Sequence, residues 1–467
     1  MNTSDILAPF LLLLCMSWGV MGHHYGRDNA GLPNLNTDRL KLIHSWKSLE
    51  FDYPDANARR VAVNRKEFIP GVPVPIDVDV IRGRLPKVLI TIPRFQDGVP
   101  VTLGYVTNKV TSEGNPIIAP YPNWEWNSLG SCDHIVSVYR IKVDECGRLW
   151  VLDTGKLKED QICPPKLLLF NTQTDRLISV YRFPSDQVLP DSLFITPVVD
   201  IRDPQTCFDT FVYIADVTGY QLIVYDHRRQ MSWNIQNNLF HPYPDHGTFS
   251  IAGQSFDLMD GIFGLALSPI LRNGDRTLYF HSLASVVEGW VPTSVIRNSS
   301  AFVDDPEAMA RSFRSFPKTR PSQAGAEAMD KNGVLFYGLM SEIALGCWNS
   351  HVEFGGDNLD IIVVNRETLQ FASGLKVSGS TQGRQEVWVL TSAFQKVMNE
   401  LNPNEVNFRI QAGFVDELVR GTKCQGGLSA SGDKGPKIHF RKPVVPPAAS
   451  SSFDPSQPWN LAPIRNY

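Results

Sequence analysis

The residues with most chemical potential in this chain gather behind short β-rich runs. Asp153 and Thr154 close GRLWVLDTG. Asp216 and Tyr220 follow DTFVYIAD, and Ser282 sits in DRTLYFHSL. Ser341 and Glu342 follow NGVLFYGL, and Thr391, Ser392 and Phe394 close QEVWVLTS and its extension. The set mixes carboxylates, hydroxyls and aromatic rings. An aromatic amine or catechol needs that mixture: a ring face to stack on, a carboxylate for an ammonium, polar groups for phenolic oxygens. The competing reading is that the aspartates cap turns and the hydroxyls close backbone hydrogen bonds. No GxSxG, Walker A loop, GxGxxG, HExxH or CxxC is present, so no nucleotide, cofactor or metal site is expected. His23-His24 is the only adjacent histidine pair.

The runs that carry these residues recur. Anchors at Leu89, Leu149, Val212, Leu278, Leu335 and Val387 are spaced 52 to 66 residues apart, and each interval holds a second strand-like run. Six units of about four strands each predict an all-β, six-bladed β-propeller with a central channel. Taking the anchor runs as the innermost strands places the residues above at one mouth of that channel. Two or three β-sandwiches would instead need a polar linker. The best candidate, Asn298 to Gln323, falls inside one repeat interval and reads as a long inter-strand loop.

Composition agrees. Of 467 residues 43% are apolar, enough for a large core. Lys plus Arg (44) nearly balances Asp plus Glu (48), which argues against a nucleic-acid partner. Ile6 to Met21 is apolar but short for a membrane span, and Val20-Met21-Gly22 suits cleavage before His23. The chain therefore divides into a signal peptide (1–22), a lead-in (23–43), the propeller (44–433) and a Pro/Ser-rich tail (434–467). A secreted, extracellular protein is expected, with no membrane association after cleavage. Cys15 leaves with the signal. Cys132, Cys146, Cys163, Cys207, Cys347 and Cys424 remain, an even number that suggests three disulfides with 15 pairings open. Joining chain neighbours closes the shortest loops: Cys132–Cys146, Cys163–Cys207 and Cys347–Cys424. Asn298-Ser299-Ser300 is a glycosylation sequon.

YRIKVDECGRLWVLDTG, IADVTGYQLIVYD and GIFGLALSP resemble the Yellow / major royal jelly protein family, with HSWKSLEFDYP, LYFHSLAS and GCWNS in agreement. The similarity runs from about His44 to about Cys424. It implies a secreted six-bladed propeller of insect type, and a function within a divided family: pigmentation, dopachrome conversion, amine binding or nutrition. Amine-binding relatives carry a Ser-Asn-Arg-Phe run where this chain has Thr391-Ser392-Ala393-Phe394. The comparison keeps the aromatic platform as Phe394 but replaces the amide by Ser392. Dopachrome conversion would need a general base, for which Glu342, Asp216 and Asp153 are candidates. Three roles stay open: a binding protein for a small aromatic amine or catechol-derived ligand, a dopachrome-converting isomerase, and a structural component of cuticle or eggshell matrix.

Overall fold

Six sheets, each begun by a strand at the centre and finished at the rim, close into a ring; all their pairings are antiparallel except that of Glu50–Phe51 with Pro116–Pro120 in the first blade. The computed structural model describes residues 32–83, 86–379, 383–397 and 401–426. The expected signal peptide and the Pro/Ser tail lie outside them. The innermost strands, in order of the blades, are Asp77–Ile81, Val138–Val143, Phe194–Ile201, Ile262–Leu267, Ala324–Met329 and Ala372–Gly379. Each packs beside the next, and the sixth returns to the first. The arrangement is the six-bladed propeller expected from the repeats. Asn298 to Gln323 is the connection expected: it contains two short helical turns and the brief outer strand Arg314–Ser315 of the fourth blade.

One expectation about the blades is corrected. The six anchor runs are not the innermost strands but the second ones: Lys87–Thr91, Arg148–Asp153, Thr210–Asp216, Thr277–Ser282, Val334–Leu339 and Gln385–Thr391. The reason is burial. A second strand is sandwiched by the neighbouring blades on both faces, so runs such as RLWVLD and VLFYGL are buried throughout and read as continuous apolar segments. An innermost strand has the channel on one side. Its sequence is mixed, as in DVDVI, VYRIKV and AGAEAM, and stands out less.

Apolar clusters fill the seams between blades. Leu89, Tyr121, Leu149 and Phe170 join the first two blades, and Trp150, Leu152, Ile214 and Tyr225 join the second and third. The ring is shut by the first strand among the described residues, Lys41–Trp46, which pairs with Phe408–Phe414 as the outermost strand of the sixth blade. Leu35, within the expected lead-in, forms an isolated bridge to Val364.

Three disulfides are present among the described residues: Cys132–Cys163, Cys146–Cys207 and Cys347–Cys424. The third is the expected pair and the other two are not. Cys132 and Cys146 flank the strand Val138–Val143 and lie at its opposite ends. Six extended residues span roughly 20 Å, beyond the reach of a disulfide. Each cysteine instead joins a loop at its own end of the ring: Cys163 beyond the second strand of the same blade, and Cys207 in the first turn of the next.

Candidate functional site

The two ends of the channel differ. At the end where the second strands finish, a hairpin of Thr248–Ile251 and Gln254–Asp257 folds over the mouth. Its strand alternates exposed and buried residues, and Phe249 and Ile251 are fully buried, the pattern of a strand with one face on the core. Phe249 stacks on Phe256, which meets Phe371, which meets Phe394, which meets Phe95. The Gln323 amide donates to the carbonyls of His246 and Thr248 and pins the hairpin's base.

The sequence-selected residues all lie toward this end, but they do not converge on one cavity. Asp216 is fully buried. Its carboxylate accepts from Ser192 Oγ at 2.6 Å, Leu193 N at 2.7 Å, Gly219 N at 3.0 Å and Gln221 Nε2 at 2.9 Å. Asp153 has the same office in the second blade, accepting from the Val136, Ser137 and Gly155 amides and pairing with buried Lys166. Both aspartates tie the entry of an inner strand to the turn after the second. Thr154 donates to the Ser137 carbonyl, Ser282 to that of Phe240 and Thr391 to that of Thr368. Ser392 is buried beside Thr391, its hydroxyl without a hydrogen-bond partner. Glu342 accepts from Ser322 Oγ, and Ser341 is exposed. Phe394 is half-buried in the aromatic row. Tyr220, beside His241, lines a separate groove of about 620 Å³ between the third and fourth blades, together with Asn238, Arg311 and Arg314.

The other end of the channel holds a cavity of about 400 Å³, walled by the finishing ends of inner strands. Its charged lining includes Arg140, Lys142, Glu145, Arg276, Glu327 and Lys376. Lys376 pairs with fully buried Asp77 at 2.7 Å, and Asp77 also accepts from the Ile141 amide of the next blade. Burial lowers the Lys376 ammonium, while Asp77 and Asp79 resist that shift. Arg140 is 2% exposed and lies over the Phe263 ring, 4.3 Å from its centroid. Its Nε and Nη2 are enclosed without a hydrogen-bond partner. Burial pushes its pKa down to about 10, with Asp77 opposing. Such a guanidinium is costly to keep and ready for an acceptor.

Behind the cavity wall, between the fourth and fifth blades, His281 meets two buried carboxylates. Nδ1 lies 3.3 Å from Glu288 and 3.2 Å from Glu327, and Arg320 pairs with Glu288. Burial and Arg320 push the imidazole down, but Glu327 and Glu288 outweigh them and leave its pKa raised to about 9. Gly264 makes the approach possible, since a Cβ there would stand 2.3 Å from the ring.

One further group belongs to the lidded end. Asp260 leads from the hairpin into the fourth blade, near enough for the Tyr139 and Tyr220 phenols to feel its charge. Burial alone raises its pKa to about 7. Sequence reasoning passed over Arg140, Glu327, His281, Glu288 and Asp260. The available signal was a charge inside an otherwise strand-like run, as in VYRIKV and AGAEAM.

These features define a six-bladed β-propeller whose channel is lidded at one end and opens into a charged cavity at the other. The chain belongs to the Major royal jelly protein family, whose profile it matches over residues 136–424. It is 35% identical to Major royal jelly protein 9 of Apis mellifera over 411 residues, covering 85% of this chain and 93% of that one. It is 31% identical to Protein yellow of Drosophila melanogaster over 459 residues, 93% of this chain and 82% of the relative. Dopaminechrome tautomerase of Drosophila melanogaster is 30% identical over 414 residues, 86% and 88% of the two chains.

Proposed function

We propose that this protein acts outside the cell in pigment-forming chemistry, holding a catechol-derived or biogenic-amine molecule in the propeller channel. The observation that carries the reading is Arg140. Quinone or phenolic oxygens that displace the side chains enclosing it would satisfy its unpaired donors, and Glu145 at the cavity rim suits an ammonium. The names of relatives, Protein yellow and dopaminechrome tautomerase, support the pigment setting. Three disulfides support an oxidising compartment, as does the signal-like N-terminus. Among the described residues no helix is long and apolar enough to cross a membrane. Asn298 is exposed and open to a glycan. The test is a melting-shift and calorimetric screen with dopamine, dopachrome and serotonin against wild type and Arg140→Met. Binding that the variant weakens about 10- to 150-fold, the size of a charge-assisted hydrogen bond, upholds the reading. No response to any of the three, with the protein recovered cross-linked in matrix, favours a structural role instead.

Asp260 favours a second reading, turnover of an aminochrome. A carboxyl with a pKa near 7 serves as either acid or base at neutral pH, and the Tyr139 phenol is near enough to feel its charge. Aminochrome absorbance that decays no faster than with heat-killed protein removes this reading and leaves binding standing.

A further inference from the structure

The geometry points to a divalent metal site at His281, Glu288 and Glu327, set in the channel wall between the fourth and fifth blades. One ligand atom from each lies within 4.8 Å of the others, and all three residues are buried. The imidazole is oriented as a ligand would be. Its Nε2 lies 3.0 Å from the Gly325 carbonyl and 3.2 Å from that of Ala324, so it donates there and turns Nδ1 toward the carboxylates.

The second observation is independent of the clustering. Oε1 of Glu327 and Oε1 of Glu288 are enclosed without a partner, while Nδ1 of His281 has only the two Oε2 atoms, at 3.2 and 3.3 Å. Two buried carboxylate oxygens left unmatched around one point are costly unless something occupies it. The spacing suits an ion. Donors bound at roughly 2.0–2.2 Å stand roughly 3.0–3.5 Å apart, and Nδ1 is 3.3 and 3.2 Å from the two carboxylates. One nitrogen and two carboxylates favour zinc or manganese over calcium. Arg320, on Glu288, acts as a positioning residue. Glu327 and Gly264 also line the cavity, so the site lies in its wall.

The full secreted protein, stripped with chelator and dialysed, is offered Zn²⁺ or Mn²⁺ alone, with no organic ligand. Metal content and melting temperature are read. The expected result is one ion per chain and a higher melting temperature, both lost in Glu327→Gln and Glu288→Gln with near-ultraviolet spectra unchanged. A variant lacking His23 and His24 should keep the ion. Should the carboxamide variants fail to fold, X-ray absorption on loaded wild type decides. One imidazole nitrogen with carboxylate oxygens supports the site, and any other donor set overturns it. Uptake of neither ion, or uptake that persists in folded Glu327→Gln, overturns it as well and leaves the cluster as an imidazolium held between carboxylates.

Discussion

Arg140 and Asp260 show what a single side chain discloses only once its surroundings are known. In sequence, Arg140 is one charge in a β-rich run. In the ring it is a guanidinium on a phenylalanine face with two unmatched donor nitrogens. Replacing it with methionine removes a buried charge that lacks a hydrogen-bonded partner, so Arg140→Met should leave the melting temperature unchanged or raise it while ligand affinity falls. A parallel loss of both would make Arg140 a structural residue. For Asp260 the linkage has a definite sign. The folded pKa of about 7 lies above the ordinary 3.8, so ionisation is disfavoured in the fold. The stability contribution is complete below pH 3.8, declines as pH rises, and is gone above 7. Asp260→Asn should therefore raise the melting temperature at pH 8 and change it little at pH 4. Equal shifts at both pH values would show that the carboxyl titrates normally.

At the scale of elements, strand repetition was the legible part and strand identity was not. Runs buried on both faces announced six units, but those runs are the second strands. The selected residues therefore landed at the ends of those strands and on the turns beyond them, where Asp153 and Asp216 brace the blades. No feature of the sequence told Cys132 from Cys146 by the end of the ring each occupies; that needed the strand between them. The hairpin Thr248–Ile251 and Gln254–Asp257 also escaped notice, because eight residues in two short runs carry no repeat. Its hold on the mouth is an aromatic row. Phe256→Ala should loosen it, seen as faster amide exchange across 248–257 with the blades unaffected. Phe394→Ala, at the other end of that row, should destabilise the protein by up to about 3 kcal/mol, the lower range for a core phenylalanine. Its affinity for a channel ligand should stay unchanged while it remains folded. A large loss of affinity in a folded Phe394→Ala protein would move the ligand to the lidded end.

For the whole molecule, the ring is held by cross-links that differ in reach. Cys347–Cys424 spans 77 residues and Cys132–Cys163 spans 31. The chain-entropy estimate is about 4.5 kcal/mol for the longer loop and about 3.7 kcal/mol for the shorter. Paired serine variants should therefore melt in that order, the Cys347/Cys424 variant lower. The reverse order would mean that the bridge near the second-blade turn restrains more than its own loop.

The strand Lys41–Trp46 has no partner until Phe408–Phe414 exists, about 360 residues downstream. At about 5–20 residues per second of synthesis, it waits roughly 20–70 s as an open edge. The two earlier bridges can oxidise during that wait, as soon as Cys163 and Cys207 emerge. The third cannot, because Cys424 follows the closing strand. The last oxidation therefore cannot precede synthesis of the closing strand, and a nascent chain stalled before residue 408 leaves the ribosome with Lys41–Trp46 still seeking a mate.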